Sequence, residues 1–71
     1  MPAIKYKCLL WKEDGTWTAH HPTLGCFGVG GTRRIAAADL AEAIREMLAY
    51  LREIGEKPPA DRLVEVGEVE I

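Results

Sequence analysis

Polar and apolar residues alternate along the start of the chain. Tyr6, Cys8 and Leu10 fall on one parity, and Lys5, Lys7, Leu9 and Trp11 on the other. A period of two is the pattern of a strand with two unlike faces. The run from Ile4 to Lys12 is rich in strand-forming residues and is bounded by Pro2 and by Asp14-Gly15, so it predicts a first strand. Asp14-Gly15 signals a two-residue hairpin, because a type I′ turn needs positive φ at both central positions. That turn sets Glu13 opposite Thr16 and Lys12 opposite Trp17, and opposed residues share a face. One face then collects Tyr6, Cys8, Leu10, Trp17, Ala19 and His21. The other collects Lys5, Lys7, Leu9, Trp11, Thr18 and His20. The lysines mark the second face as solvated. The first is the expected core side, where Ala19 leaves space for a helix.

Strand two ends at Pro22, which has no N–H to give to a ladder. Thr23-Leu24-Gly25 makes a short connection, and Cys26 to Val29 reads as a short third strand. Gly28, Gly30 and Gly31 let the backbone bend towards a helix. Thr32 is the expected N-cap of that helix, Arg33 to Ile54. Its apolar residues recur at Ile35, Leu40, Ile44, Met47, Leu48, Leu51 and Ile54, the stripe of a helix with one buried side. Asp39, Glu42, Arg45, Glu46, Arg52 and Glu53 form a solvated opposite side. Arg33 and Arg34 stand in the first turn, where they oppose the helix dipole. Gly55 fits the residue that ends a helix in left-handed geometry, and Pro58 with Pro59 blocks continuation. Leu63 to Ile71 predicts a last strand with a bulge at Gly67. The pattern therefore predicts an α+β fold of order β-β-β-α-β. It comprises an antiparallel three-stranded meander, a fourth strand, and one helix packed on one sheet face.

Composition narrows the functional classes. A chain of 71 residues holds one domain, 1–71. A chain this short hides only about 60% of its extended surface on folding, so it gains from a partner surface. The net charge of −2 argues against nucleic acid as a partner by itself. The two cysteines, Cys8 and Cys26, lie in no CxxC pair and are expected to be free thiols in a reducing compartment. The N-terminus lacks the features of a secretory leader, and no apolar run approaches the roughly 20 residues that span a bilayer. A cytoplasmic location is expected.

Candidate chemistry is sparse. Cys8, His20, His21 and Cys26 carry zinc-type ligand atoms, but adjacent histidines in a strand face opposite ways. Cys8 opposite His21 would form a Cys–His pair with no evident orienting group or oxyanion loop. Glu13, Asp14, Asp39 and Glu42 do not converge. The glycines of residues 25–32 precede a helix but have neither the Gly-Lys-Ser/Thr ending nor the spacing of a phosphate loop. No catalytic, metal or cofactor-binding residue is expected. The solvated face offers Leu9 and Trp11 with Thr18 and His20 beside them, and an exposed Trp on a sheet is a typical interface anchor. These four and Arg33 are the candidate partner-binding residues. A second reading gives Lys5, Lys7, Trp11 and His20 to a nucleic acid, with a base stacked on Trp11.

Tyr6, the run Glu13-Asp14-Gly15, Trp17-Thr18-Ala19, Pro22, Leu24, Gly25-Cys26, Gly30 and Thr32 together resemble the HicB-like domain. Ala43-Ile44, Leu48, Leu51, Gly55 and Pro58 continue the match over nearly the whole chain. The resemblance implies a degraded ribonuclease H-like fold in which strand four lies beside strand one and the catalytic carboxylates are lost. It also implies an antitoxin that binds and blocks a HicA-type toxin, a small RNA-cleaving protein. The chain departs from the family pattern at Ile35, where a glutamate often completes a capping box. With its last strand closing at Ile71, no C-terminal DNA-binding segment is expected, and a stand-alone HicB-like homodimer of other role is the alternative. Homodimerisation is expected because open sheet edges invite pairing.

Overall fold

The computed structural model describes residues 5–60 and 66–71. Its elements are β1 (Leu9–Glu13), β2 (Thr16–His21), β3 (Cys26–Gly30) and α1 (Arg33–Glu53). The strands form one antiparallel sheet in the order β1-β2-β3, followed by the helix, which is the α+β arrangement the sequence predicts. Asp14 and Gly15 take φ of 49° and 80°, the double positive φ of a type I′ turn. The register follows: Glu13 pairs with Thr16, Lys12 with Trp17 and Leu9 with His20. The next turn closes with a Gly25 N–H to Pro22 carbonyl bond of 3.3 Å, and Gly25 has φ 68°.

β1 is shorter than its apolar run. Leu9–His20 is its last pair, and Pro22 offers no N–H to extend the ladder. A side chain acts there instead. His21 Nδ1 donates to the Lys7 carbonyl at 2.6 Å, which places the ring proton on Nδ1 because a carbonyl only accepts.

The helix is closed at both ends. Thr32 is extended at φ −134° and its hydroxyl accepts from Ile35 N–H at 3.1 Å. At the other end Gly55 has φ 73° and gives its N–H to Arg52, while Glu56 gives its N–H to Leu51, the paired bonds of a Schellman motif. The unfavourable placement of Arg33 is offset locally, since its guanidinium lies 5.3 Å from the centre of the Trp17 ring.

Ala19, Cys26, Ala36, Leu40 and Ile44 are buried, and Tyr6, Cys8, Trp17, Leu24, Ala43, Met47 and Leu48 pack around them. The buried stripe thus starts at Ala36, not Ile35, which is mostly exposed. Helix and sheet meet at small residues. Ala19 pairs with Gly28, and a Cβ on Gly28 would stand 2.2 Å from Leu40 N and 2.4 Å from the Ala36 carbonyl oxygen. Gly28 therefore sets the approach distance, a stricter role than the backbone bend expected of it.

α1 rests on β3 and β2, and among the described elements none lies over the β1 side of the core face. Leu10 is partly exposed there, and a groove of about 400 Å³ opens between Tyr6 and the helix residues Leu40, Ala41, Ile44 and Leu48. The fourth strand expected over Leu63 to Ile71 falls partly outside the described residues. Residues 66–71 carry no strand and are exposed. Only Val69 and Ile71 share an apolar parity in this stretch, with Gly67 before them, so it brings little surface to a sheet edge.

Candidate functional site

The sheet face turned away from α1 is the candidate site. Strand alternation and register order it into two rows. Leu9, His20 and Phe27 lie across the three strands in one row, and Trp11, Thr18 and Val29 in the other. Leu9, Trp11, Thr18 and His20 are half-buried by their neighbours, whereas Phe27 and Val29 remain 55% and 53% exposed. The His20 ring stacks on Phe27 at 4.0 Å and 17° between planes. His20 Nδ1 donates to the Cys26 carbonyl at 3.1 Å, so the ring is fixed from two directions. The result is a fixed His20–Phe27 pair with Trp11 and aliphatic side chains in the adjoining positions.

Four of the five partner-binding candidates therefore stand together. Arg33 does not join them. It sits over Trp17, which lies on the helix side of the sheet, in register with Gly30. Sequence reasoning missed Phe27 and Val29. The signal was the alternation of Cys26-Phe27-Gly28-Val29-Gly30: with Gly28 opposite Ala19 on the core side, Phe27 and Val29 must face outward. Lys5 and Lys7 are exposed but precede β1, so they flank the site at one end.

The alternative chemistries find little assembly. His20 and His21 face opposite sides. His21 is buried on the core side, with its ring edge-on to Tyr6 at 5.3 Å between centroids. Among the described residues no three His, Cys, Asp or Glu side chains come together as a metal site. The cysteine paired with His21 in the sheet is Cys26. Its burial raises the thiol pKa above the ordinary value and so disfavours the thiolate, the reactive form. Its Sγ contacts the Leu24 and Ala43 carbonyls at 3.8 and 3.9 Å. Glu42 forms an exposed ion pair with Arg45 on the outer side of α1, and Asp39 accepts from Val29 N–H at 2.9 Å. No described helix is long and apolar enough to cross a membrane.

No family model and no solved structure match the chain. A curated relative does: the UPF0150 protein Ta0767 of Thermoplasma acidophilum is 37% identical over 65 residues, 89% of this chain and 94% of that protein. The chain belongs to the UPF0150 family. UPF0150 proteins are small and HicB-like, so the coarse resemblance seen in the turn and packing residues holds. The fold of this UPF0150 member leaves an apolar sheet face open, and that face is its most distinctive surface.

Proposed function

We propose that this UPF0150 protein is a non-catalytic protein-binding module of antitoxin type. It binds a small RNA-cleaving toxin of the HicA class through the open sheet face and blocks cleavage. The observation that carries this reading is the fixed His20–Phe27 stack on the open sheet face, with Trp11, Val29 and Leu9 beside it. Large, rigid side chains at the centre of an exposed patch contribute most to protein binding, because they remove apolar area from water at little cost in side-chain entropy. The mildly acidic chain also has the right charge sense for a basic RNA-binding partner. A HicA-type toxin from the same genome, assayed on an RNA substrate, tests the proposal. Inhibition that rises to completion at one protein per toxin supports it; cleavage unaffected by excess protein overturns it.

The stacked His20–Phe27 pair beside Trp11 also favours a second reading, a stacking platform for single-stranded nucleic acid flanked by Lys5 and Lys7. Its mark would be oligonucleotide binding that weakens steeply with salt.

A further inference from the structure

The middle of the open sheet face is apolar except at two side chains. In the rows Leu9–His20–Phe27 and Trp11–Thr18–Val29 only His20 and Thr18 are polar, and neither row holds a fixed charge. Two contacts set the pose of His20. Its ring stacks on Phe27 at 4.0 Å, and Nδ1 donates to the Cys26 carbonyl at 3.1 Å. A carbonyl only accepts, so the ring proton is on Nδ1 and Nε2 carries a lone pair. No described residue donates to Nε2, and that atom is not sealed in the interior. His21 makes the same kind of bond to the Lys7 carbonyl but is buried on the other side of the sheet. Of the two adjacent rings, His20 is the one on the open face.

We propose that His20 Nε2 is the specificity-determining acceptor of the open face, where it takes a hydrogen bond from an uncharged N–H or O–H of a protein partner. The inference rests on the toxin reading and names the chemistry that the toxin brings to this face. A carboxylate or phosphate has no proton to give and would meet the lone pair with its own. A cation docked there would leave water with no opposite charge in the two rows to receive it. An uncharged donor has neither cost, and docking without one would shut Nε2 away from water unsatisfied. The charged groups around the face stand outside its middle. Lys5 and Lys7 precede β1, and Glu13 is at its hairpin end; the other outward residues of β2 and β3 bring none, and from α1 Asp39 reaches the Val29 N–H. A second ring proton on His20 turns the acceptor into a donor and adds a charge, so acid weakens the complex. A nucleic acid would show the reverse, since an imidazolium attracts phosphate.

The test is the toxin affinity of the full chain and of His20→Phe between about pH 8 and about pH 5, the span over which imidazoles ordinarily titrate. Phe keeps a ring to stack on Phe27 and removes the acceptor and its proton. The wild type is expected to lose roughly tenfold in affinity across that span. His20→Phe is expected to be weaker by a similar factor at the alkaline end and to lack that loss. Titration of the toxin's own groups moves both chains alike, so the difference between the two profiles carries the result. In the isolated chain, nitrogen NMR of the ring is expected to place the His20 proton on Nδ1. A proton on Nε2, parallel profiles for the two chains, or oligonucleotide binding that tightens with acid and is lost in His20→Phe would overturn the proposal. Parallel profiles with tight binding leave the toxin reading standing; no toxin binding by the wild type at any pH overturns that reading and this inference together.

Discussion

Gly28 fixes how closely helix and sheet approach. Its missing side chain is occupied by the backbone of Leu40 and Ala36, which cannot swing aside as a flexible side chain would. Gly28→Ala is therefore expected to lower stability by about 1–3 kcal/mol, read as an earlier urea midpoint. Gly31→Ala, with open space at that position, is expected to be nearly silent in the same measurement. Cys26 gives a pH dependence of known sign. Burial raises its folded pKa above the unfolded value, so the folded chain holds the thiol proton more tightly. Its contribution is full below the unfolded thiol pKa and is lost as pH rises through the folded one. Urea midpoints are expected to fall at alkaline pH, and Cys26→Ala to remove that part of the fall. Half-buried Cys8 is expected to alkylate before buried Cys26. The core side of these residues was legible because alternation assigns faces once one turn is known. The Gly28 contact was not, since a glycine in a sequence does not say whether it bends a strand or admits a helix.

The hairpin and helix ends were legible at the scale of elements because their signals are local. Asp14-Gly15, Thr32 and Gly55 each need only neighbouring residues to take effect. Thr32→Ala removes the acceptor for Ile35 N–H and is expected to cost about 1 kcal/mol. In a domain of this size that corresponds to a fall in Tm of roughly 4–8 °C by circular dichroism. The strand ends were less legible, because a strand extends only as far as its neighbour pairs with it. β1 stops at Leu9 although strand-forming residues precede it, since β2 stops at His21. The expected fourth strand met the same limit. Residues 66–71 have strand alternation but pair with no strand within the described chain.

At the scale of the molecule, the sheet divides the protein's work between its faces. The helix side, built on Ala19, Gly28, Ala36 and Leu40, holds the small core. The outer side, with its rows Leu9–His20–Phe27 and Trp11–Thr18–Val29, is turned away from the helix and is the face to which binding is assigned in the proposal. Most of that outer surface could be read from the sequence once the hairpin register was set. Phe27 and Val29 escaped because the faces of the short third strand follow only from its pairing with β2, which sets Gly28 against Ala19. Arg33 was a candidate because a cation opposing the dipole in the first helical turn suggests an external acidic contact, but the course of the chain takes it to Trp17 on the other side. Phe27→Ser and Trp11→Ala are both surface changes in the isolated domain. They are expected to leave the fold intact, as checked by the far-ultraviolet spectrum and the urea midpoint.

The most direct measurement is inhibition of RNA cleavage by a HicA-type toxin from the same genome, titrated with the wild-type chain and with Trp11→Ala and Phe27→Ser. The account predicts stoichiometric inhibition by the wild type and a loss of about 2 kcal/mol in toxin affinity for each variant, roughly thirtyfold in Kd. Undiminished cleavage in the presence of excess wild-type chain, or full inhibition by both folded variants, would contradict it.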